Sequence, residues 1–200
     1  AAIFSFHAVK HIAAGEGGVL TCKNKKIAVQ ALKLRSHGIT KNSHELIENH
    51  GGWYYEMQAL GYNYRLTDIQ AALALSQLQR ADQMLARRKL LAERYHHALV
   101  NLPLKLPVIS EEIGHAYHLF VIRLAQRTEL YDYLKKQQIL CQIHYIPVHL
   151  HPYYQSLGFK KGQFPKAEFF YETCMSIPLY PSMTDEQQDY VIEKIKLFFL

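Results

Sequence analysis

Ser5, His7 and Lys10 set a hydroxyl, an imidazole and a primary amine along one short string, FSFHAVKHIAAGEGG, from Phe4 to Gly18. A lysine held beside the end of a buried strand is desolvated, which lowers its pKa and makes the amine a nucleophile toward carbonyl carbon. The apolar and aromatic residues before it read as a strand emerging from a core. Gly15, Gly17 and Gly18 let the backbone turn tightly or approach a ligand, because they carry no Cβ. The same string also describes a solvated surface lysine before a glycine turn, the ordinary condition of that residue type. On these residues alone both readings stand.

Other groups narrow the chemistry. His149-x-His151, with His144 nearby, has the look of metal ligands, but no neighbouring carboxylate or cysteine completes a set, and no metal is expected. Cys22, Cys141 and Cys174 are odd in number, far apart and without CxxC spacing, so they read as free thiols of a reducing cytosol. Arg80, Arg87, Arg88, Lys89 and Arg94 read as a solvated helix face. A net charge of +6 over 200 residues, spread along helices, suits an anionic ligand such as a nucleotide diphosphate and argues against nucleic acid. With 49% hydrophobic and 20% charged residues the composition is that of an ordinary globular chain. No signal peptide is expected, and no apolar run in these residues is long enough to span a bilayer.

These groups need elements to position them. Val19–Cys22 predicts a return strand that makes a hairpin around the glycines. Asn24 caps a helix to about Arg35 with Ile27, Ala31 and Leu34 on its apolar side, and Gly38 ends it with a left-handed turn. Ile39 to Leu60 has little periodicity; its aromatics Trp53, Tyr54 and Tyr55 cover a core edge, a ligand ring or a partner subunit. Thr67 and Asp68 start a helical tract running to about Val100, with a bend near Gln79–Asp82 and a face of Met84, Leu91, Tyr95 and Ala98. Asn101 to Ser110, with Pro103 and Pro107, is the domain boundary. Beyond it come a half-buried strand alternating at Tyr117, Leu119, Val121 and Arg123, a helix capped by Thr128, and a second strand from Ile139 to Ile146. A helix then begins at Pro165, and a last helix follows the capping-box spacing of Thr184 and Gln187.

SFHxxK followed by GEGG, GYNYR running into LTDIQAAL, and Tyr145-x-Pro147-x-His149-x-x-Pro152 together resemble the DegT/DnrJ/EryC1/StrS sugar aminotransferases. The resemblance covers essentially all of this chain but only the second half of a family enzyme. It implies an α/β fold: the C-terminal part of the large domain of a fold type I pyridoxal-phosphate transferase (residues 1–102), followed by a small α+β C-terminal domain (residues 103–200). It implies that Lys10 is the catalytic residue and forms the imine with pyridoxal 5'-phosphate, and that Ser5 hydrogen-bonds the cofactor phosphate. Asn63 would reach across a homodimer interface to the phosphate of the other subunit. His7, Tyr145 and His149 would contact the substrate.

The activity implied is transfer of an amino group, from glutamate by family habit, to a nucleotide-linked keto sugar in a cytoplasmic enzyme. The FSFHAVKHI, GGWYYEMQALGYNYR and IHYIPVHLHPYY segments are most like members that aminate C4 of a UDP-linked 4-keto-6-deoxy-N-acetylhexosamine on the way to pseudaminic acid. The chain opens AAIFSF, without Met and inside an expected strand, so a piece of a longer enzyme is expected. The competing readings are a non-catalytic binding module and an aminotransferase for another keto sugar. A pyridoxal enzyme also needs a carboxylate on the pyridinium nitrogen. Asp68, Asp82, Asp132, Asp185 and Asp189 all fall in expected helices or caps, which leaves that role to residues before Lys10.

Overall fold

The computed structural model describes residues 1–108 and 114–200, and it divides into two compact units, Ala1–Ala81 and Asp82–Leu200. The first opens with strand β1 (Ala2–Ser5), which pairs antiparallel with β2 (Gly18–Thr21), Ser5 lying opposite Gly18. This is the expected hairpin, but all of its residues are exposed. Helix α1 (Lys25–Arg35) starts where Asn24 accepts a hydrogen bond from the Lys26 N–H, as its side chain predicts. The expected apolar side is not covered: no residue of α1 is buried, and Ile27 is exposed. Gly38, at φ +69, ends the helix; a Cβ there would overlap the carbonyl of Ala59, so only glycine fits.

The aperiodic stretch after it contains a small ladder that its pattern does not announce, β3 (Ile39–Thr40) against β4 (Glu56–Met57). Helix α2 (Asp68–Leu78) carries a full capping box, with the Thr67 side chain on the Gln70 N–H and the Gln70 side chain on the Thr67 N–H. The expected bend falls where α2 ends and α3 (Ala81–Leu99) begins.

The second unit holds the core. Leu91, Ala92, Tyr95 and Leu99 of α3 are shielded from solvent, and they cluster with Phe120, Ile122, Leu130, Leu134, Met175 and Ile195. The compact division therefore precedes the proline-rich stretch, because α3 packs into the second unit. The expected boundary, 101–110, ends among residues outside those described. Strand β5 (Phe120–Arg123) buries Phe120 and Ile122, the opposite parity from the expected Leu119 and Val121. Tyr117 has a left-handed backbone, φ 46, which breaks the alternation before the strand begins. Helix α4 (Arg127–Lys136) follows Gln126, with no side-chain cap; Thr128 lies inside it and does not cap. Residues 139–146 form no strand, only the bridge of Gln142 to Ser176. The partner of β5 is instead β6 (Cys174–Ile177), in register Phe120 to Ile177.

A single 3-10 turn (Val148–Leu150), the short α5 (Pro152–Ser156) and α6 (Pro165–Thr173) lead into β6, and α7 (Asp185–Phe198) closes the chain under the predicted Thr184–Gln187 capping box. The expected solvated arginine face is also corrected. Arg88 is buried and donates to the carbonyls of Tyr117 and Leu179 at 3.1 and 3.0 Å. Arg87 and Arg94 pair with Asp185, and Arg94 also reaches Asp189. No helix among the described residues is long and apolar enough to cross a membrane.

Candidate active site

The segment after β1 is a closed excursion whose neck is Phe6. Its N–H donates to the Gly17 carbonyl at 2.9 Å, and its carbonyl accepts from the Ala14 N–H at 2.8 Å. Within the excursion the Lys10 N–H closes a turn onto the His7 carbonyl at 2.9 Å. Ser5, His7 and Lys10 are thus brought together by local backbone bonds. The Ser5 Oγ accepts the His7 N–H at 3.3 Å, a polar turn at the end of the strand. Lys10 is half-buried, and its amine has no carboxylate partner among the described residues. His7 is not free: its Nε2 lies 3.5 Å from Glu16, with both groups largely exposed. Glu16 belongs to the GEGG string, but nothing in that string points to a pairing with His7.

The glycines have separate reasons. Gly17, at φ +141, has the Leu66 side chain so close that a Cβ would stand 2.6 Å from it. Gly17 and Gly18 line an open groove with Glu16, Tyr64, Arg65, Leu66 and Gln70. Gln70, besides capping α2, donates to the Glu16 carbonyl at 3.0 Å and so ties the start of that helix to the glycine turn. Residues 61–64 are pinned along the end of α1. Tyr62 donates to Leu34 and Tyr64 to Arg35, while His37 donates to Tyr62. Tyr62 and Tyr64 stack with ring centroids 4.8 Å apart. Asn63 alternates to the other side of that extended segment. It bridges Ser36 through the backbone, and its carboxamide is exposed and bonds no described residue.

Tyr145 and His149 belong to the second unit. Tyr145 is exposed and sets its ring edge-on to His144 at 4.7 Å. The His144 Nδ1 lies 2.9 Å from the Ser176 hydroxyl, and burial pushes the His144 pKa down. His149 is buried, and its Nε2 lies 2.8 Å from the carboxylate of Glu168, also buried. This carboxylate, which sequence reasoning missed, is 19 residues away in the chain, so no local pattern exposes it. No group of three or more metal-ligating side chains forms among the described residues.

An unpaired primary amine, a neighbouring hydroxyl and an exposed carboxamide are the donor set that suits an aldehyde carrying a phosphate. The amine can bond the carbonyl carbon, and the hydroxyl and the amide can donate to phosphate oxygens. The described aspartates Asp68, Asp82, Asp132, Asp185 and Asp189 all lie in helices.

The sequence pattern of the DegT/DnrJ/EryC1/StrS aminotransferase family matches residues 1–196. The spore coat polysaccharide biosynthesis protein SpsC of Bacillus subtilis is 40% identical over 98% of this chain and 53% of its own length. The PMP form of Spr1654 from Streptococcus pneumoniae superposes with a TM-score of 0.88 at 31% identity, covering 98% of this chain and 52% of that one. PseC of Helicobacter pylori, an aminotransferase involved in the biosynthesis of pseudoaminic acid, gives a TM-score of 0.87 at 28% identity, over 98% and 52% of the two chains. The chain thus spans about half the length of the relatives it matches. The likeness extends over both units, so the α/β fold expected for the C-terminal half of a pyridoxal-phosphate aminotransferase is the one observed.

Proposed function

This chain belongs to the DegT/DnrJ/EryC1/StrS aminotransferase family, and from that premise we propose that the protein containing it moves an amino group from an amino acid, glutamate by family habit, to a nucleotide-linked keto sugar. Pyridoxal 5'-phosphate is the proposed cofactor; when bound, it supplies the electron sink for the carbon that carries the amine. Lys10 would hold the cofactor through its aldehyde carbon, and once an incoming amine frees it, its Nζ would hold and move the proton between the amine-bearing substrate carbon and the cofactor carbon. A flexible primary amine suits that task and a guanidinium, which does not deprotonate, does not. Ser5 holds the phosphate from its own chain and Asn63 from a second copy, in a homodimer with shared sites. His7, Tyr145 and His149 face the substrate.

Residues 1–102 are assigned to the cofactor-binding large domain and 103–200 to the small α+β domain. The assigned compartment is the cytoplasm, where the free thiols Cys22, Cys141 and Cys174 stay reduced. The proposed acceptor is a UDP-linked 4-keto-6-deoxy-N-acetylhexosamine of surface-glycan synthesis. Its support is the likeness to PseC, and SpsC points the same way toward polysaccharide.

The observation that carries the reading is the half-buried Lys10, whose amine has no carboxylate partner among the described residues, one turn from Ser5. Borohydride reduction of the full-length protein with pyridoxal phosphate should fix a pyridoxyl group on Lys10, and Lys10→Ala should abolish turnover. A label on Lys23 or Lys41 instead would overturn the assignment.

A further inference from the structure

Glu168 is a carboxylate that the proposed reaction does not use, yet it is among the most thoroughly bonded side chains of the second unit. It stands in the first turn of α6, where the helix end favours negative charge. Its two oxygens accept the Gly162 N–H at 2.7 and 2.9 Å, and one of them also accepts the Phe164 N–H at 3.4 Å. The hydrogen bond from His149 is the largest of the effects that hold its pKa below the ordinary carboxylate range, and the backbone N–H groups of Gly162 and Phe164 add to it.

An ionised carboxylate can only accept. At the 2.8 Å contact the hydrogen must therefore lie on the His149 Nε2. In the neutral ring this puts the lone pair on Nδ1. That atom bonds no described residue, and it is not among the polar atoms sealed from solvent without a partner. The Phe164 ring packs edge-on against the imidazole at 4.8 Å and fixes its plane. His149 lies in the 3-10 turn that follows Tyr145, the exposed ring assigned to the substrate. His149 therefore has Nε2 clamped by Glu168 while Nδ1 stays free to accept a hydrogen from outside the described residues.

We propose that Glu168 is a positioning residue that holds His149 with Nδ1 as a hydrogen-bond acceptor for a sugar hydroxyl, an inference that rests on the sugar-aminotransferase reading above. The polarity has a consequence for specificity. A hydroxyl offers a hydrogen to Nδ1, whereas the side-chain carboxylate of a glutamate donor offers only lone pairs. The open nitrogen therefore serves the sugar half of the reaction and not the amino-acid half.

Two near-isosteric substitutions separate this role from a structural one. Glu168→Gln presents an amide N–H to Nε2 while its oxygen still accepts from Gly162, so the ring proton moves to Nδ1 and the acceptor becomes a donor. His149→Gln keeps an N–H on Glu168 and removes Nδ1. The experiment uses the full-length protein with 15N-labelled histidine, and His149 is assigned by its absence in His149→Gln. Two-bond proton–nitrogen spectra should show the Nε2–H tautomer in the wild type and the Nδ1–H tautomer in Glu168→Gln. Single-turnover measurements should show the second-order constant for the keto sugar falling about 10- to 100-fold in both variants, as for partners that orient a histidine. The constant for the glutamate half-reaction should stay within about twofold of the wild type.

A wild-type ring in the Nδ1–H form overturns the proposal. So does a reversed tautomer that leaves the sugar constant unchanged, or a parallel loss in both half-reactions together with thermal stability, which marks a role in folding alone. If the wild type aminates no nucleotide keto sugar, the proposed function fails. The tautomers of the wild type and Glu168→Gln then still decide whether Glu168 orients the ring.

Discussion

Leu91, Tyr95, Phe120, Leu130 and Ile195 of the second unit have no exposed surface, whereas Ile3, Ile27, Val29, Leu32 and Ile69 of the first are between 45% and 84% exposed. Both units use the same local devices, capping boxes and antiparallel pairs. They differ in what those devices are packed against. In the second unit β5 and β6 lie among α3, α4 and α7 residues that bury one another's side chains. In the first, a two-stranded hairpin and two helices leave their apolar residues open to solvent. An isolated two-stranded hairpin is marginal in water. The unit that carries Lys10 is thus the one whose own residues supply almost no core; under the proposed function, surfaces laid against it would add to its order. A second copy of the chain is one such surface in the proposed homodimer.

The largest expected effect tests that second copy. Full-length Lys10→Ala and Asn63→Ala proteins should each be nearly inactive. Unfolded together and reassembled, they pair at random, so about half of the dimers are mixed, and one of the two sites in each mixed dimer has both residues intact. About a quarter of the wild-type sites should therefore return. If Asn63 served its own chain, every site would keep one defect and mixing would restore nothing. Absence of recovery, with mixed dimers confirmed by mass, removes the shared site. The exposed face of the first unit would then need another explanation.

The next effect concerns the cores themselves. Leu91→Ala opens a cavity in a closed cluster and should cost about 2–5 kcal/mol in denaturant unfolding of this chain. Ile27→Ala, on a helix without a buried residue, should cost less than about 0.5 kcal/mol. Equal losses would mean that the first unit is packed as tightly as the second and would break the contrast.

The same contrast explains what could be read from the sequence. Features set by residues three or four apart were legible: the Asn24 cap, the Thr184–Gln187 box, the Pro165 helix start and the break after α2. Features set by distant choices were not. The strand expected at 139–146 lost its place to β6 because β5 pairs with Cys174–Ile177, a decision made across the whole second unit. Arg88 reads as surface on its own helix and becomes buried only because carbonyls 29 and 91 residues away converge on it. The candidate site divides along the same line. Ser5, His7 and Lys10 lie on one short string and could be named together, while Glu168, which clamps His149, was invisible. The parity of β5 failed for a local reason that composition hides, the left-handed backbone of Tyr117.

The smallest prediction uses one motif twice. Thr67 with Gln70 and Thr184 with Gln187 form capping boxes of the same design, with each threonine hydroxyl on the backbone N–H of the glutamine. Replacing either threonine by alanine removes the same bond, worth about 1 kcal/mol. What the loss does depends on the helix it starts. Four residues of α7 are buried, Gln188, Val191, Ile192 and Ile195, so its first turn cannot fray without disturbing the core. Thr184→Ala should therefore lower the global unfolding free energy by nearly the full 1 kcal/mol or so. In α2 only Ala74 is buried. There the first turn can open locally, and local opening leaves the global transition nearly unmoved. Thr67→Ala should shift it by no more than about 0.3 kcal/mol, while amide exchange in the first turn of α2 speeds up several-fold. Gln70 sharpens the reading, because its bond to the Glu16 carbonyl survives the substitution and holds the second half of the box in place. A Thr67→Ala chain that loses as much global stability as Thr184→Ala would show that α2 unfolds with the core, and the two units would then have to be treated as one.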